Sequence, residues 1–239
     1  METAGARGAR PLRRVGLRHR LGQHPARPGL DLFAGRRRTA ALIPRILVLA
    51  GDTAAGSPAA RLAQEATRAL SPTDAALTAA ALADYPLPFF EGPPPGSGHV
   101  EEAPQNARLL AQRLALQDGL LLVCPEINAG PPAALKNALD WAGAVGAADP
   151  AGRPPFARLV VALAATGAGG EDGRSALAQL RAILASLGAD VLTAELRLAA
   201  GEDAFDASGR IRDPAMRARL DDLLDRLFDA SRALGRQGG

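Results

Sequence analysis

Residues 125–141 carry the most chemistry-ready pattern in this 239-residue chain: Pro125, Glu126, Ile127 and Asn128 lead through Ala129, Gly130, Pro131 and Pro132 into a helix-like run ending at Trp141. The preceding run, Gly119–Cys124, is wholly apolar and reads as a strand buried on both faces. A loop rich in proline, glycine and asparagine is therefore held between the carboxyl end of a strand and the start of a helix. Open α/β sheets bind their ligands at such positions. A second segment repeats the design. The apolar run Ile46–Ala50 stops at Gly51, and Asp52, Thr53, Ala54, Ala55 and Gly56 lead to Ser57-Pro58. Ser57 reads as a helix N-cap and Pro58 as the first helical residue. A helix start offers free N–H groups and a positive dipole end, so a phosphomonoester suits it. Thr53 and Ser57 add hydroxyl donors, although Ser57 is equally explained as a cap alone. A third glycine-rich stretch contains Thr166, Gly167 and Gly169. Glycines let the backbone approach a flat ligand closely, or simply make a turn.

The absences are equally informative. Cys124 is the only cysteine, so no disulfide framework and no cysteine-rich metal site is possible. It reads as a small buried hydrophobe, with a reactive thiol as the alternative. His19, His24 and His99 lack metal-ligand spacing. No acid–base or nucleophile set stands out, and no residue is assigned as catalytic. No apolar run reaches the ~18 residues of a membrane span. The formal net charge of +3 hides an asymmetry: residues 1–45 carry +9 and residues 46–239 carry −6. A mildly acidic body argues against nucleic acid as a partner.

The elements that must position these loops follow from periodicity. Residues 1–44 are rich in Arg, Gly and Pro, without apolar spacing, and read as a disordered extension. A targeting peptide or an anionic-surface arm are the other readings of this segment. From residue 45 onward, strands are expected at 46–50, 75–82, 119–124, 159–165 and 191–198. Helices are expected at 57–70, 100–117, 133–145, 174–187 and 214–234. The segment 84–97 reads as a loop holding Tyr85, Phe89 and Phe90, which either line a site or plug the base of the sheet. Strand–helix alternation through five strands predicts a doubly wound parallel α/β sheet. The flavodoxin-like order 2-1-3-4-5 is natural for five strands and places a ligand where the first and third strands part.

The Pro125–Trp141 segment resembles the signature of the NADPH-dependent FMN reductase family. That signature reads Pro-Glu-Tyr-Asn-Gly-Ser-(Ile/Val)-Pro before a Leu-Lys-Asn-Ala-(Ile/Leu)-Asp-Trp helix. The likeness covers about residues 45–234, and the run Phe205–Pro214 also looks like the family's last connection. The resemblance implies FMN as cofactor and NADPH as reductant. Asp52, Thr53 and Ser57 would hold the phosphate. Pro125, Glu126, Ile127 and Asn128 would wrap the ring and ribityl chain, with Thr166, Gly167 and Gly169 flanking it. A small-molecule acceptor is implied: a flavin, quinone, azo compound or metal oxyanion. The same likeness implies a homodimer or homotetramer acting in the cytoplasm. Lys136, Asn137, Asp140 and Trp141 are expected to serve helix or subunit packing. The departures are Asp52 for the family's Ser, Ala54 for its Arg, Ala59 for its Asn and Ile127 for its Tyr. They point to the alternative: a flavodoxin-like protein with weakened or lost flavin binding, acting as electron carrier or interaction module.

Residues 1–44 lack the apolar surface that offsets the entropy of ordering. A chain beginning at Leu42 is therefore expected to keep the melting temperature and flavin affinity of the full chain. A fall of more than a few degrees on truncation would show that the extension packs on the body.

Overall fold

The computed structural model describes residues 43–92, 103–148, 154–167, 172–199 and 202–235. Five strands form one parallel sheet: β1 (Arg45–Ala50), β2 (Ala76–Ala81), β3 (Gly119–Pro125), β4 (Val160–Gly167) and β5 (Asp190–Ala199). Their order is β2-β1-β3-β4-β5, as the alternation predicts. The connecting helices are α1 (Pro58–Leu70), α2 (Gln105–Ala115), α3 (Ala133–Ala148), α4 (Arg174–Ser186) and α5 (Pro214–Leu234). Among the described residues no helix is long and apolar enough to cross a membrane. The extension expected at residues 1–44 lies outside the described residues up to position 42.

The three central strands are apolar on both faces because both faces are covered. Leu47, Leu49, Leu120, Leu122, Cys124, Val161 and Leu163 pack against α2, α3 and α4. Ile46, Val48, Leu121, Val123, Val160 and Ala162 point the other way, toward α1 and α5. Period-two alternation thus feeds two cores, each side chain of Leu or Val size contributing about 2 kcal/mol when fully buried. The helices present matching stripes. On α5, Leu220, Leu223, Leu224 and Leu227 are buried, while Met216 packs at the margin of the same core.

Several boundaries differ from those expected. Helix α2 starts at Gln105, not at 100, because Pro104 stands at its N-cap with extended ψ, and it ends at Ala115. Helix α3 runs to Ala148, past the expected 145. Strand β4 continues through Thr166 and Gly167, which the glycine pattern had given to a loop; both pair with β5, at Leu198 and Ala199.

The site-forming end of the sheet rests on one close approach. The N–H of Gly51 donates to the carbonyl of Val123 over 2.7 Å, extending the β1–β3 ladder by one residue. A Cβ at position 51 would sit 2.8 Å from that same carbonyl oxygen and 3.0 Å from Leu135 Cδ2. Gly51→Ala must therefore push the strand ends apart, at about 1–3 kcal/mol. For a domain this size that corresponds to a melting temperature roughly 3–10 °C lower. An unchanged melting temperature would show that the two loops tolerate separation.

Candidate functional site

The loop between β3 and α3 is a small hairpin rather than an open coil. The Glu126 N–H donates to the Thr166 carbonyl at 2.8 Å, continuing the β3–β4 ladder. Ile127 and Gly130 exchange N–H···O bonds of 2.9 and 3.1 Å. Between them Asn128 and Ala129 have φ of 51° and 59°. Two successive positive φ values define a two-residue turn of the I′ kind, for which Asn is suited. Asn128 therefore has a conformational role whatever its side chain contacts, and that side chain is exposed. Ala129 is strained there, by roughly 1–2 kcal/mol. Its carbonyl accepts from Gln179 Nε2 of α4 at 2.8 Å, which pins the turn. Ile127 stands 51% exposed at the edge of the hairpin.

Glu126 is buried, and its Oε2 has no hydrogen-bond partner among the described residues. A buried carboxylate oxygen without a donor is costly, so a ligand carrying N–H or O–H groups suits this position. Beside it lies Cys124. Burial, then the charges of Glu126 and Asp52, push its thiol up to about 12. Cys124 is thus a protonated, buried thiol at neutral pH, donating to the Pro125 carbonyl at 3.1 Å, and the reactive-thiol alternative fails. Asp52, after β1, and Glu126, after β3, thus both act on this thiol in the same direction.

The loop between β1 and α1 combines donors with a charge problem. Ser57 Oγ accepts from the Ala60 N–H at 3.0 Å, so the capping role is met, at about 1 kcal/mol. Pro58 has no N–H to offer. Gly56 has φ of 73°, and Thr53 is exposed while Asp52 is half-buried. The arginines of α1 are engaged elsewhere. Arg61 lies 4.5 Å over the Phe205 ring, and Arg68 donates to the carbonyls of Ser208 and Gly209 at 2.7 Å each. Asp52 makes no ion pair among the described residues. The loop retains a helix N-terminus and two hydroxyls but has no described cation of its own.

A third wall comes from the segment after β2. Thr53, Tyr85, Leu87, Phe89, Ala134 and Asn137 are among the residues lining a cavity of about 510 Å³. Two grooves of about 520 and 600 Å³ flank β2, so volume does not single this cavity out. What does is its place between the β1 loop and the N-terminal half of α3. The three aromatics divide. Tyr85 is buried in the core, Phe90 packs edge-on against Trp141 at 5.0 Å, and Phe89 is 82% exposed on the cavity rim. Asn137 and Trp141 do more than the packing expected of them. Asn137 accepts from the Phe90 N–H at 2.7 Å and donates to the Pro88 carbonyl at 2.9 Å. Trp141 Nε1 donates to the same carbonyl at 2.8 Å while its ring packs against Ala107 of α2. Their i, i+4 spacing on one helix face was the available signal. Lys136 and Asp140 form an exposed ion pair at 2.6 Å.

Of the third glycine-rich segment, Thr166 is buried and Gly167 ends β4; Gly169 lies outside the described residues. At the far side of that gap, Asp172 accepts from the Arg174 N–H at 3.0 Å and from Arg197 Nη1 at 2.6 Å. The Arg174 N–H foremost, with the two guanidinium groups, holds its carboxyl below the usual range.

Residues 44–203 match the model of a family described as NADPH-dependent FMN reductase. A 2-hydroxy-1,4-benzoquinone reductase from a Burkholderia species is 32% identical over 124 residues, which are 52% of this chain and 65% of that protein. The chain thus matches just under two thirds of that curated relative's length. Among solved structures, FerB, a flavoenzyme NAD(P)H:(acceptor) oxidoreductase from Paracoccus denitrificans, superposes with a TM-score of 0.66 at 22% identity, over 81% of this chain and 100% of that one. RosB, solved with 8-demethyl-8-formylriboflavin-5'-phosphate, gives 0.63 at 14% identity, over 80% of each chain. At these identities the structural likeness establishes the flavodoxin-like fold.

Asp52 gives the most direct test of the β1 loop. A carboxylate there repels a phosphate dianion, and two charges 4 Å apart interact by about 4 kcal/mol at an effective dielectric near 20. Asp52→Ser is expected to tighten FMN at least tenfold, about 1.4 kcal/mol, and riboflavin hardly at all. Titration of both flavins by fluorescence reads the difference. Equal effects on both ligands would show that the loop holds no phosphate.

Proposed function

We propose, from the premise that this chain belongs to the NADPH-dependent FMN reductase family, that it is an FMN-dependent NAD(P)H oxidoreductase. It passes electrons from a reduced nicotinamide, NADPH by family, to a small acceptor such as a flavin, quinone, azo compound or metal oxyanion. The single observation that carries this reading is a cavity lined by Thr53 of the β1–α1 loop, by residues of the segment after β2 and by the N-terminal half of α3, the helix that the Pro125–Asn128 hairpin leads into; the hairpin itself is not among the lining residues. The 2-hydroxy-1,4-benzoquinone reductase relative adds support for a quinone-type acceptor.

The donor set fits a flavin in most respects. The Pro125–Asn128 hairpin presents main-chain groups suited to the polar edge of an isoalloxazine ring. Glu126 offers a buried acceptor for a ligand N–H or hydroxyl. The α1 N-terminus with Thr53 and Ser57 would hold the phosphate by main-chain and hydroxyl donors. Bound flavin supplies the hydride chemistry, so no side chain need act as an acid or base. Overall, two electrons and one proton leave NAD(P)H, and a second proton from solvent completes a two-electron reduction of the acceptor. The chain's own task is to hold two flat molecules in turn against one cofactor and to keep water out of the contact.

Residues 45–239 form the flavin-binding domain in this reading, and 1–44 an extension to it. A homo-oligomer working in the cytoplasm follows from the family alone. The rival reading, a carrier or interaction module with weak or lost flavin binding, is favoured by one specific observation: the uncompensated Asp52 in the phosphate loop.

An absorption spectrum decides between them. The purified full chain with added FMN is expected to retain a yellow cofactor through gel filtration. Anaerobic NADPH should bleach it, and a quinone should restore it. Retained flavin that NAD(P)H does not bleach would make the protein a carrier. No retained flavin at all would favour the interaction module.

A further inference from the structure

The segment Tyr85–Phe90 is fixed at almost every residue except in one side chain. The Pro86 carbonyl accepts from Asn106 Nδ2 at 2.9 Å. Pro86 and Pro88 have their φ set by their rings. The Pro88 carbonyl takes two donors, from Asn137 and Trp141, and the Phe90 N–H is tied to Asn137. Tyr85 and Leu87 turn inward against the core, and Phe90 is stacked edge-on against Trp141. Of the segment's aromatic residues Phe89 alone is exposed, at 82%, with its backbone neighbours Pro88 and Phe90 both hydrogen-bonded. An exposed phenyl ring in a mobile loop would be unremarkable. One flanked by main-chain groups that three hydrogen bonds hold, at Pro88 and Phe90, is different, because the backbone that carries the ring is set before any ligand arrives. Binding to such a group avoids the backbone part of the ordering entropy that an aromatic on a loose loop would lose.

The ring stands on the rim of the 510 Å³ cavity, across from Thr53 of the β1 loop and beside Asn137 of α3. That volume admits a molecule of one or two fused rings. The lining of the cavity is mainly small and apolar, with Leu82, Ala83, Ala133, Ala134 and Ala138, and it holds no charged side chain, so recognition there favours flat apolar surface over charge. Aromatic rings prefer offset or edge-on contact with another ring, at centroid spacings of about 4.5–7 Å.

We infer that Phe89 is the stacking platform for the planar ring of the electron acceptor, a quinone-class molecule, and that Asn137 and Trp141 act through it as positioning residues. The inference rests on the oxidoreductase reading above and names the substrate class that this wall of the site selects.

The test compares a planar acceptor with one that has no ring. Steady-state NADPH oxidation by the flavin-loaded full chain is measured with menadione and with ferricyanide. Phe89→Ala is expected to raise the KM for menadione relative to that for ferricyanide by about three- to tenfold, the scale of one aromatic pair. The menadione kcat should move less than its KM. Phe89→Trp should restore the ratio. Asn137→Ala should move the ratio in the same direction, since it frees the Phe90 N–H and one donor to Pro88. Flavin affinity, read by fluorescence titration, should stay within about twofold in Phe89→Ala. A ratio unchanged in Phe89→Ala, or not restored by Phe89→Trp, overturns the inference while leaving the oxidoreductase reading intact. Absence of NADPH oxidation with either acceptor in the unaltered chain overturns the reading itself, and the inference with it.

Discussion

The candidate site depends on two neighbouring parallel strands whose chains leave in opposite directions. Strands β1 and β3 pair from Ile46–Gly119 to Ala50–Val123, and Gly51 adds one more hydrogen bond. After that bond the chain from β1 turns to α1 on one face, while that from β3 turns to α3 on the other. No helix can cover the point where they part, so a crevice is left at the strand ends. The strand ends lie this close because position 51 has no side chain. A glycine without positive φ is here a spacing requirement, not a conformational one. The two buried faces of the sheet make this arrangement stiff, since any shift of β1 against β3 disturbs both cores together.

Electrostatics divides the crevice into unlike halves. On the β3 side, polar groups are fixed by neighbours: Glu126 N–H by Thr166, Ala129 carbonyl by Gln179, the 85–90 segment by Asn137 and Trp141. On the β1 side, Asp52 makes no ion pair among the described residues, and the α1 arginines contact Phe205, Ser208 and Gly209 instead. The thiol of Cys124 feels both carboxylates, which registers their common neighbourhood. In the proposed reading, ring recognition would be the preorganised part of the site and phosphate recognition the weak part. A ligand held chiefly by its flat portion would be affected less by Asp52 than one held by its phosphate.

Much of this was legible in the residues and some was not, for definite reasons. The strands and their parallel pairing followed from alternation and from the run lengths, because a strand buried on both faces needs an unbroken apolar stretch; their order was taken as the one natural to five such strands. Ser57-Pro58 marked the start of α1 to the residue, since capping is a local interaction. The start of α2 was misplaced by five residues, because apolar spacing registers a stripe but not the proline at which the helix must begin. The end of β4 was placed too early, because Thr166 and Gly167 look like loop residues and are held extended by cross-strand bonds. The turn at Asn128-Ala129 was hidden for a similar reason. An alanine at positive φ breaks the local rule, and the pinning of its carbonyl by Gln179, 50 positions away, helps to hold it there.

The clamp by Asn137 and Trp141 shows where sequence reading stops. Both lie on a helix whose apolar stripe explains their spacing adequately, so packing was the economical account. Their polar atoms, however, reach Pro88 and Phe90, residues in a proline-rich loop with no periodicity to read. Hydrogen bonds between a helix side chain and a distant loop backbone leave no pattern in either segment alone. They become visible only once the β2–α2 connection is seen folded over α3. The same bonds fix the backbone from which the exposed Phe89 projects, so the ring explores only the rotamers open to one anchored position. A surface aromatic whose backbone is immobilised from both sides is shape that the fold sustains without a ligand, and such shape biases which molecules fit.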